Sequence, residues 1–239
     1  MQRDRKDRRG AKPVIINGSV AVQIADILTR RIIDQSVVVG DFLPTEELLC
    51  EEFGVGRSSI REAIKTLESR GLVRKRQGRG AVVVDESIEA TSRMLKLSLD
   101  YKKSSLRDVV QFRETMETKL AELAALCATP DDIEQMQRYL DLMKFEPYKP
   151  KRFAEYDYSF HEAIAKASKN SVAVLILQAL RPILYDQISY TLKNDFNPEL
   201  VNHLHEEIFT AICNRQPITA SKLMMKHIEE THRIVSATN

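Results

Sequence analysis

The sequence predicts a mainly helical protein in two parts: an N-terminal unit of helices and one β-hairpin, and a larger all-helical unit of six or seven helices. Three observations support this prediction. Apolar residues recur at helical spacing through most of the chain, the short strand-like segments all lie before residue 85, and the balance of charge differs between the two parts. A chain of 239 residues with 43% apolar residues is long enough for two domains.

Basic residues are concentrated in the N-terminal part. Residues 1–84 contain sixteen Lys and Arg against eleven Asp and Glu, whereas the rest of the chain contains twenty against twenty-three. This asymmetry favours contact between the N-terminal part and a polyanion, but a solvated surface explains it equally well. Charge alone therefore does not decide the function.

The sequence also bears on the compartment of the protein. Three cysteines stand far apart and outside any paired motif, so neither a disulfide framework nor a zinc finger is indicated. The longest apolar run, residues 172–177, is too short to span a bilayer, and the charged first residues lack the apolar segment of a signal peptide. We therefore expect a cytoplasmic protein without a membrane partner.

The N-terminal elements follow from capping and breaking residues. Residues 1–18 mix charges with Gly and Pro and lack apolar periodicity, which predicts a basic flexible arm. A helix–helix–turn–helix–hairpin unit is predicted over residues 19–85. Its predicted elements are a helix from Ser19, helices over 45–53 and 57–70, a C-terminal Gly71, and strands over 72–76 and 81–84 around the turn 77–80.

The third of these helices has two distinct faces. At 100° per residue Arg57, Ser58, Arg61 and Lys65 lie within one arc, and apolar side chains lie within another. Residues 56–79 contain eight basic and two acidic residues. Such a helix can be anchored by its apolar face while its cations reach phosphates and guanine edges. A solvated surface helix is the alternative interpretation.

The segment LPTEELLCEEFGVGRSSIREAIKTLESRGLVRKRQGRGAVVV resembles the winged helix-turn-helix of the GntR family of transcriptional regulators, and the resemblance spans residues 20–84. It implies that the third helix contacts operator DNA and that the tip of the wing, residues 78–80, enters the minor groove. The segment departs from the family pattern at two positions. Glu47 stands where the family commonly has an Arg, and it would repel phosphate. Gly56 stands where the family usually has a Ser or Thr. The predicted DNA-contacting residues are Arg57, Ser58, Ser59, Arg61, Lys65, Arg76, Arg79 and Gly80.

The C-terminal part shows helical periodicity and no convincing strand. Residues 86–103 are predicted to form a linker and connecting helix, and residues 104–239 an all-helical domain. Helices are predicted over about 88–99, 105–128, 131–146, 153–168, 171–193, 198–214 and 217–236.

Four polar residues are predicted to face the interior of this domain. Asp157 and His161 are four residues apart on one helix and therefore point the same way. His205 and His227 lie within the apolar stripes of the last two helices, whereas His203 is expected to point outward. Each of these residues taken alone is more often a core residue whose polar atoms are hydrogen-bonded. Three buried imidazoles and a carboxylate together are explained more simply by one shared cation.

The segments FRETMETKLAELAA, DYSFHEAIAKASKN, HEEIFTAI and ASKLMMKHI resemble the FCD effector domain of the FadR branch of GntR regulators, over residues 104–236. The resemblance implies effector binding and dimerisation by this domain, and a divalent ion held by Asp157, His161, His205 and His227. This donor set suits zinc, nickel, iron or manganese. The resemblance further implies a small carboxylate or sugar-acid effector assisted by Arg113, for which an ion pair with Glu117 is the alternative role.

These features predict a sequence-specific transcriptional regulator, expected to be a repressor, that binds an inverted-repeat operator as a homodimer and responds to an acid bound at the metal. An open metal site could instead activate water in a hydrolase. However, no HExxH motif, GxSxG motif or phosphate-binding glycine loop accompanies it. A purely structural DNA-binding protein would not explain the polar residues within the helical stripes. We therefore expect no enzymatic activity.

Overall fold

The computed structural model describes residues 19–145, 149–194 and 197–237. The predicted basic arm, residues 1–18, lies outside the described residues. The chain divides into two compact units, with the boundary between Ala90 and Thr91. The predicted fold class is confirmed, because a small unit with one hairpin precedes an all-helical unit.

The N-terminal unit has its elements where the capping residues predict them. Ser19 accepts a hydrogen bond from the first turn of α1 (Val20–Ile33), and Thr45 accepts one from the first turn of α2 (Glu46–Phe53). Gly56 is the N-cap residue of α3 (Arg57–Ser69) and makes no side-chain capping bond. Gly80, predicted as part of the turn, is instead the first residue of a strand and pairs with Arg76. The elements are α1 (Val20–Ile33), α2 (Glu46–Phe53), α3 (Arg57–Ser69), β1 (Val73–Arg76) and β2 (Gly80–Val83), with β1 and β2 antiparallel.

Gly71 connects α3 to β1 in a conformation that residues with a side chain rarely adopt. Its φ is +72°, and a Cβ atom at this position would lie 2.2 Å from the backbone oxygen of Glu86. The N–H of Gly71 donates to Glu68, and its carbonyl accepts from the N–H of Glu86. Glycine therefore allows the end of α3 and the chain that leaves the hairpin to approach closely.

We expect Gly71→Ala to destabilise the N-terminal unit more than Gly78→Ala. Both residues have a φ of +72°, but a Cβ atom at Gly78 would have no other atom within 4 Å, so this position isolates the backbone cost of roughly 1–2 kcal/mol. The backbone clash at Gly71 should add about 1–3 kcal/mol to the loss in free energy of unfolding. Urea unfolding followed by circular dichroism measures both losses. Equal losses would contradict the close approach at Gly71.

The helices predicted after residue 86 are all present, and the first of them, α4 (Ser87–Lys102), begins four residues before the boundary between the two units. α5 (Leu106–Cys127) packs on α7 (Pro150–Ala167) and α10 (Pro217–Ala237), and α9 (Pro198–Cys213) packs on α10, so that these four helices surround a shared interior. Phe160 of α7, Leu204 and Ile208 of α9 and Met224 of α10 are fully buried there. The helices are α4 (Ser87–Lys102), α5 (Leu106–Cys127), α6 (Pro130–Phe145), α7 (Pro150–Ala167), α8 (Ser171–Lys193), α9 (Pro198–Cys213) and α10 (Pro217–Ala237).

Among the described residues, α8 is the helix with the length and composition of a membrane span. Length and composition alone are weak evidence for a membrane span, because core helices of soluble proteins share them. Nine residues of α8 are buried within the folded chain, and two of these, Gln187 and Thr191, are polar. The absence of a membrane partner stays a prediction.

Candidate functional site

Four polar side chains from three helices converge in the interior of the C-terminal unit. Asp157 and His161 come from α7, His205 from α9 and His227 from α10, and none is more than 5% exposed. One candidate ligand atom of each residue lies within 4.8 Å of those of the other three. The i,i+4 spacing places the first two on one face of α7, and the apolar stripes of α9 and α10 turn the other two inward. His203 points outward, as predicted, and its side chain is 65% exposed.

The distances within this cluster fit a common cation. The Nε2 atom of His227 lies 3.2 Å from Nε2 of His161 and 3.4 Å from Nε2 of His205. The Nε2 atom of His205 lies 3.5 Å from an oxygen of Asp157. Two nitrogens bound at about 2.1 Å to one ion are about 3.0–3.4 Å apart at tetrahedral or octahedral angles. A hydrogen on Nε2 of His227 can form a hydrogen bond to only one of the other two histidines. Hydrogen bonding alone therefore explains the cluster less well than a shared cation does.

The electrostatics of the cluster also suit a cation. Burial, and then the nearby His161 and Arg113, hold the pKa of His205 well below its usual value, and burial does the same for the pKa of His227. Both rings are therefore neutral near pH 7, which is the form that binds metals. Burial raises the pKa of Asp157, and the positive charge of nearby groups opposes this only in part. A cation would compensate the buried carboxylate.

A buried ion pair adjoins the cluster. Nε of Arg113 donates to Oε1 of Glu117, one turn later on α5, at 2.7 Å, and both side chains are 3% exposed. The ion pair proposed as the alternative role of Arg113 is therefore present. The other oxygen of Glu117 lies 2.5 Å from Nδ1 of His161. Burial alone would raise the pKa of Glu117, but Arg113 and His161 outweigh it and hold this pKa well below the usual range.

Sequence reasoning missed two further residues of this network. Nη1 of Arg113 donates to the side-chain oxygen of Gln187 at 2.6 Å, and the amide nitrogen of Gln187 donates to the hydroxyl of Thr191 at 2.9 Å. Arginine only donates hydrogen bonds, so the side-chain oxygen of Gln187 must face Arg113 and its amide nitrogen must face Thr191. The signal available in the sequence was a pair of polar residues, Gln187 and Thr191, four residues apart on the apolar helix α8.

A small cavity lies between this network and the cluster. Its volume is about 20 Å³, which is room for one or two water molecules. An organic acid would therefore need the surrounding side chains to move. The polar lining residues are Arg113, Asp157, Gln187, Thr191, His227 and Thr231, and the apolar ones are Phe153, Ile188, Leu192 and Val201.

In the N-terminal unit, the residues predicted to contact DNA form a cationic surface on α3 and the hairpin. Ile60, Ala63, Ile64 and Leu67 are buried on the opposite face of α3, so the predicted division of this helix is present. The predicted residues that are exposed are Arg57, Ser58, Arg61, Lys65, Arg76, Arg79 and Gly80, and Ser59 is half-buried.

Two acidic residues contact this cationic surface. Glu46 accepts a hydrogen bond from Nε of Arg61 at 2.9 Å, and Glu62 accepts one from Lys65 at 2.7 Å. Exposed ion pairs of this kind contribute about 1 kcal/mol or less, so phosphate or base contacts can replace them. Glu47, the residue expected to repel phosphate, is exposed on α2.

Each of the two units matches a known protein family. Residues 20–83 match the family described as bacterial regulatory proteins, gntR family, and residues 108–230 match the FCD domain. The chain is 29% identical to the Glc operon transcriptional activator of Escherichia coli K12, over 86% of this chain and 84% of that protein. It is 30% identical to the Uxu operon regulator of Haemophilus influenzae, over 87% and 78% of the two chains. A solved structure of Streptococcus agalactiae GntR has a TM-score of 0.73 and 26% identity, and the match covers 89% of this chain and 99% of that one.

The fold, the cationic winged helix and these relatives define a DNA-binding transcriptional regulator with a helical effector domain, not an enzyme. The chain belongs to the GntR family and carries a C-terminal FCD domain, so the resemblance seen in the sequence is confirmed.

Proposed function

We propose that this protein is a metal-dependent repressor of the FadR branch, in which a small organic acid bound in the C-terminal domain changes the affinity for operator DNA. One observation carries the proposal. Four buried ligand atoms within 4.8 Å of one another adjoin a buried arginine, in a chain whose other unit carries a winged helix-turn-helix.

Asp157, His161, His205 and His227 would hold the metal ion, and zinc, nickel, iron and manganese all suit this donor set. A bound ion would supply an electrophilic position for an oxygen atom of the acid. The neutral state of His205 and His227 supports this assignment, because a protonated imidazole cannot bind a metal.

Arg113 is proposed to bind the carboxylate of the acid. Its Nε and Nη1 atoms are engaged by Glu117 and Gln187, while its Nη2 group has no hydrogen-bond partner among the described residues. The contacts to α5 and α8 fix the guanidinium beside the cavity, so that its remaining donors are available to an anion. The ion pair with Glu117 is therefore compatible with a role in effector binding.

The proposal includes a cytoplasmic homodimer that reads an inverted repeat with the DNA-contacting residues of α3 and the wing. Two copies of a small reader provide the affinity and discrimination that one copy lacks. Three free cysteines are consistent with a reducing compartment. Since one relative is named an activator, in vitro transcription from an operator-bearing template is the measurement that tests repression.

We expect Arg61→Ala and Lys75→Ala to weaken DNA binding in different ways. Arg61 lies on the exposed face of α3 and is proposed to read bases, so its loss should cost roughly 1–3 kcal/mol on the operator and less on random DNA. Lys75 lies on β1, so its loss should weaken binding to both and make the salt dependence shallower. Fluorescence anisotropy on an operator selected from a random library measures both effects. Equal losses on both duplexes for Arg61→Ala would contradict base readout.

The effector proposal is tested by a thermal-shift screen of organic acids with metal-loaded and metal-stripped protein. L-lactate belongs in the panel, because one relative is named as a putative L-lactate dehydrogenase operon regulatory protein. An acid at 100 times its Kd should stabilise the loaded protein by about 2.7 kcal/mol and leave the stripped protein unchanged. Chemical analysis of the acids afterwards should find them intact. Equal shifts without metal, or turnover of an acid, would exclude the proposed sensor.

A further inference from the structure

We propose that Glu117 is a positioning residue that holds His161 in the tautomer required for metal binding, while its other oxygen holds Arg113 at the effector cavity. The inference rests on the proposed metal site and assigns a role to a residue outside the four ligands. It separates two contributions of the buried Arg113–Glu117 pair, because metal binding should depend on Glu117 and not on Arg113.

The geometry of Glu117 carries this inference. Its Oε1 lies 2.7 Å from Nε of Arg113 and its Oε2 lies 2.5 Å from Nδ1 of His161, with all three side chains almost completely buried. An ionised carboxylate only accepts hydrogen bonds, so Glu117 favours the tautomer of His161 that carries its hydrogen on Nδ1. The lone pair is then on Nε2, which faces Nε2 of His227 at 3.2 Å.

His161 differs from the other two histidines in having a carboxylate beside its Nδ1 atom. The Nδ1 atoms of all three histidines are buried and lack an aligned hydrogen bond within the described part of the chain, but that of His161 lies 2.5 Å from Oε2 of Glu117. Metal-binding histidines usually donate the N–H of the ring nitrogen that does not bind the metal to a carboxylate, carbonyl or water, and loss of that partner typically weakens metal binding about 10–100-fold. Glu117 is the carboxylate placed to provide this contact.

A purely structural role for Glu117 makes a different prediction. Glu117→Gln and Arg113→Met both break the same buried ion pair, so a structural role predicts similar consequences for the metal site. Only Glu117→Gln removes the carboxylate from His161, since a glutamine has one acceptor oxygen for two donors. In Arg113→Met the carboxylate remains and is no longer shared with a guanidinium, which should preserve its contact with His161.

The test is a competition titration of the full chain with Zn²⁺. We expect Glu117→Gln to bind Zn²⁺ about 10–100-fold more weakly than the parent, and Arg113→Met to bind it within about threefold of the parent or more tightly. Glu114→Gln, the same change one turn earlier on α5, should have no effect. The absorption spectrum of bound Co²⁺ should change in Glu117→Gln and stay parental in Arg113→Met, which a general loss of stability would not produce.

Similar losses of Zn²⁺ affinity in Glu117→Gln and Arg113→Met would overturn the inference and leave the metal site intact. A parent protein that binds no Zn²⁺ or Co²⁺ would instead overturn the proposed metal site. If Glu117→Gln does not fold, ¹⁵N-histidine NMR of the Zn²⁺-loaded parent decides the question. Nδ1 protonated and Nε2 metal-bound in His161 supports the inference, whereas coordination through Nδ1 contradicts it.

Discussion

Replacement of His205 by alanine should abolish metal binding and the response of operator affinity to the effector, while DNA binding itself survives. His205 is fully buried, and its Nε2 atom approaches both His227 and Asp157. Loss of an outer partner costs about 10–100-fold in metal affinity, and loss of a direct ligand should cost more. Basal DNA binding should persist, because the DNA-contacting residues belong to the other compact unit.

The His205→Ala experiment uses reciprocity between the two ligands. Effector and DNA should influence each other by about 1–3 kcal/mol in the parent protein, and this coupling should disappear in the variant. Circular dichroism checks the fold, since His205 also packs against Phe160 with ring centroids 4.9 Å apart. His203→Ala is the matched control on the same helix and should behave like the parent. A folded, metal-free His205→Ala protein with a parental response would show that the effector is sensed elsewhere.

Replacement of Arg113 by methionine should remove the response to acids and leave the metal bound. The variant deprives the acid of its proposed counter-charge in a buried cavity, which typically costs about 2–5 kcal/mol or more in affinity. Calorimetric titration of the metal-loaded variant, with the acid that stabilises the parent most, measures this loss. The expected result differs from that of His205→Ala, in which metal and acid binding are lost together.

Arg107→Met provides the control for the Arg113 variant. It makes the same change on the same helix at an exposed position outside the cavity, so acid affinity should remain parental. Parental acid affinity in Arg113→Met would assign Arg113 a structural role only, through its contacts with Glu117 and Gln187. The metal would then bind the acid without help from this arginine.

The sequence determined the secondary structure and the burial of the candidate ligands because the responsible signals are local. Caps such as Ser19 and Thr45, and the helix-starting prolines at 130, 198 and 217, define element ends within a few residues. The apolar stripes of α9 and α10 predicted that His205 and His227 are buried. The expected burial of these two histidines with Asp157 and His161 already favoured one shared cation, and the family resemblance implied the same four ligands.

The tertiary structure decided how the helices meet, which no local pattern encodes. Glu117 was recognised in the sequence as a partner for Arg113, but its contact with His161 depends on the packing of α5 against α7. Gln187 lies 74 residues from Arg113 along the chain, so their hydrogen bond could not follow from helical spacing. The cavity likewise exists only where α5, α7, α8, α9 and α10 come together. Sequence periodicity fixes which face of each helix is buried, whereas the packing of the helices fixes which buried polar atoms become partners.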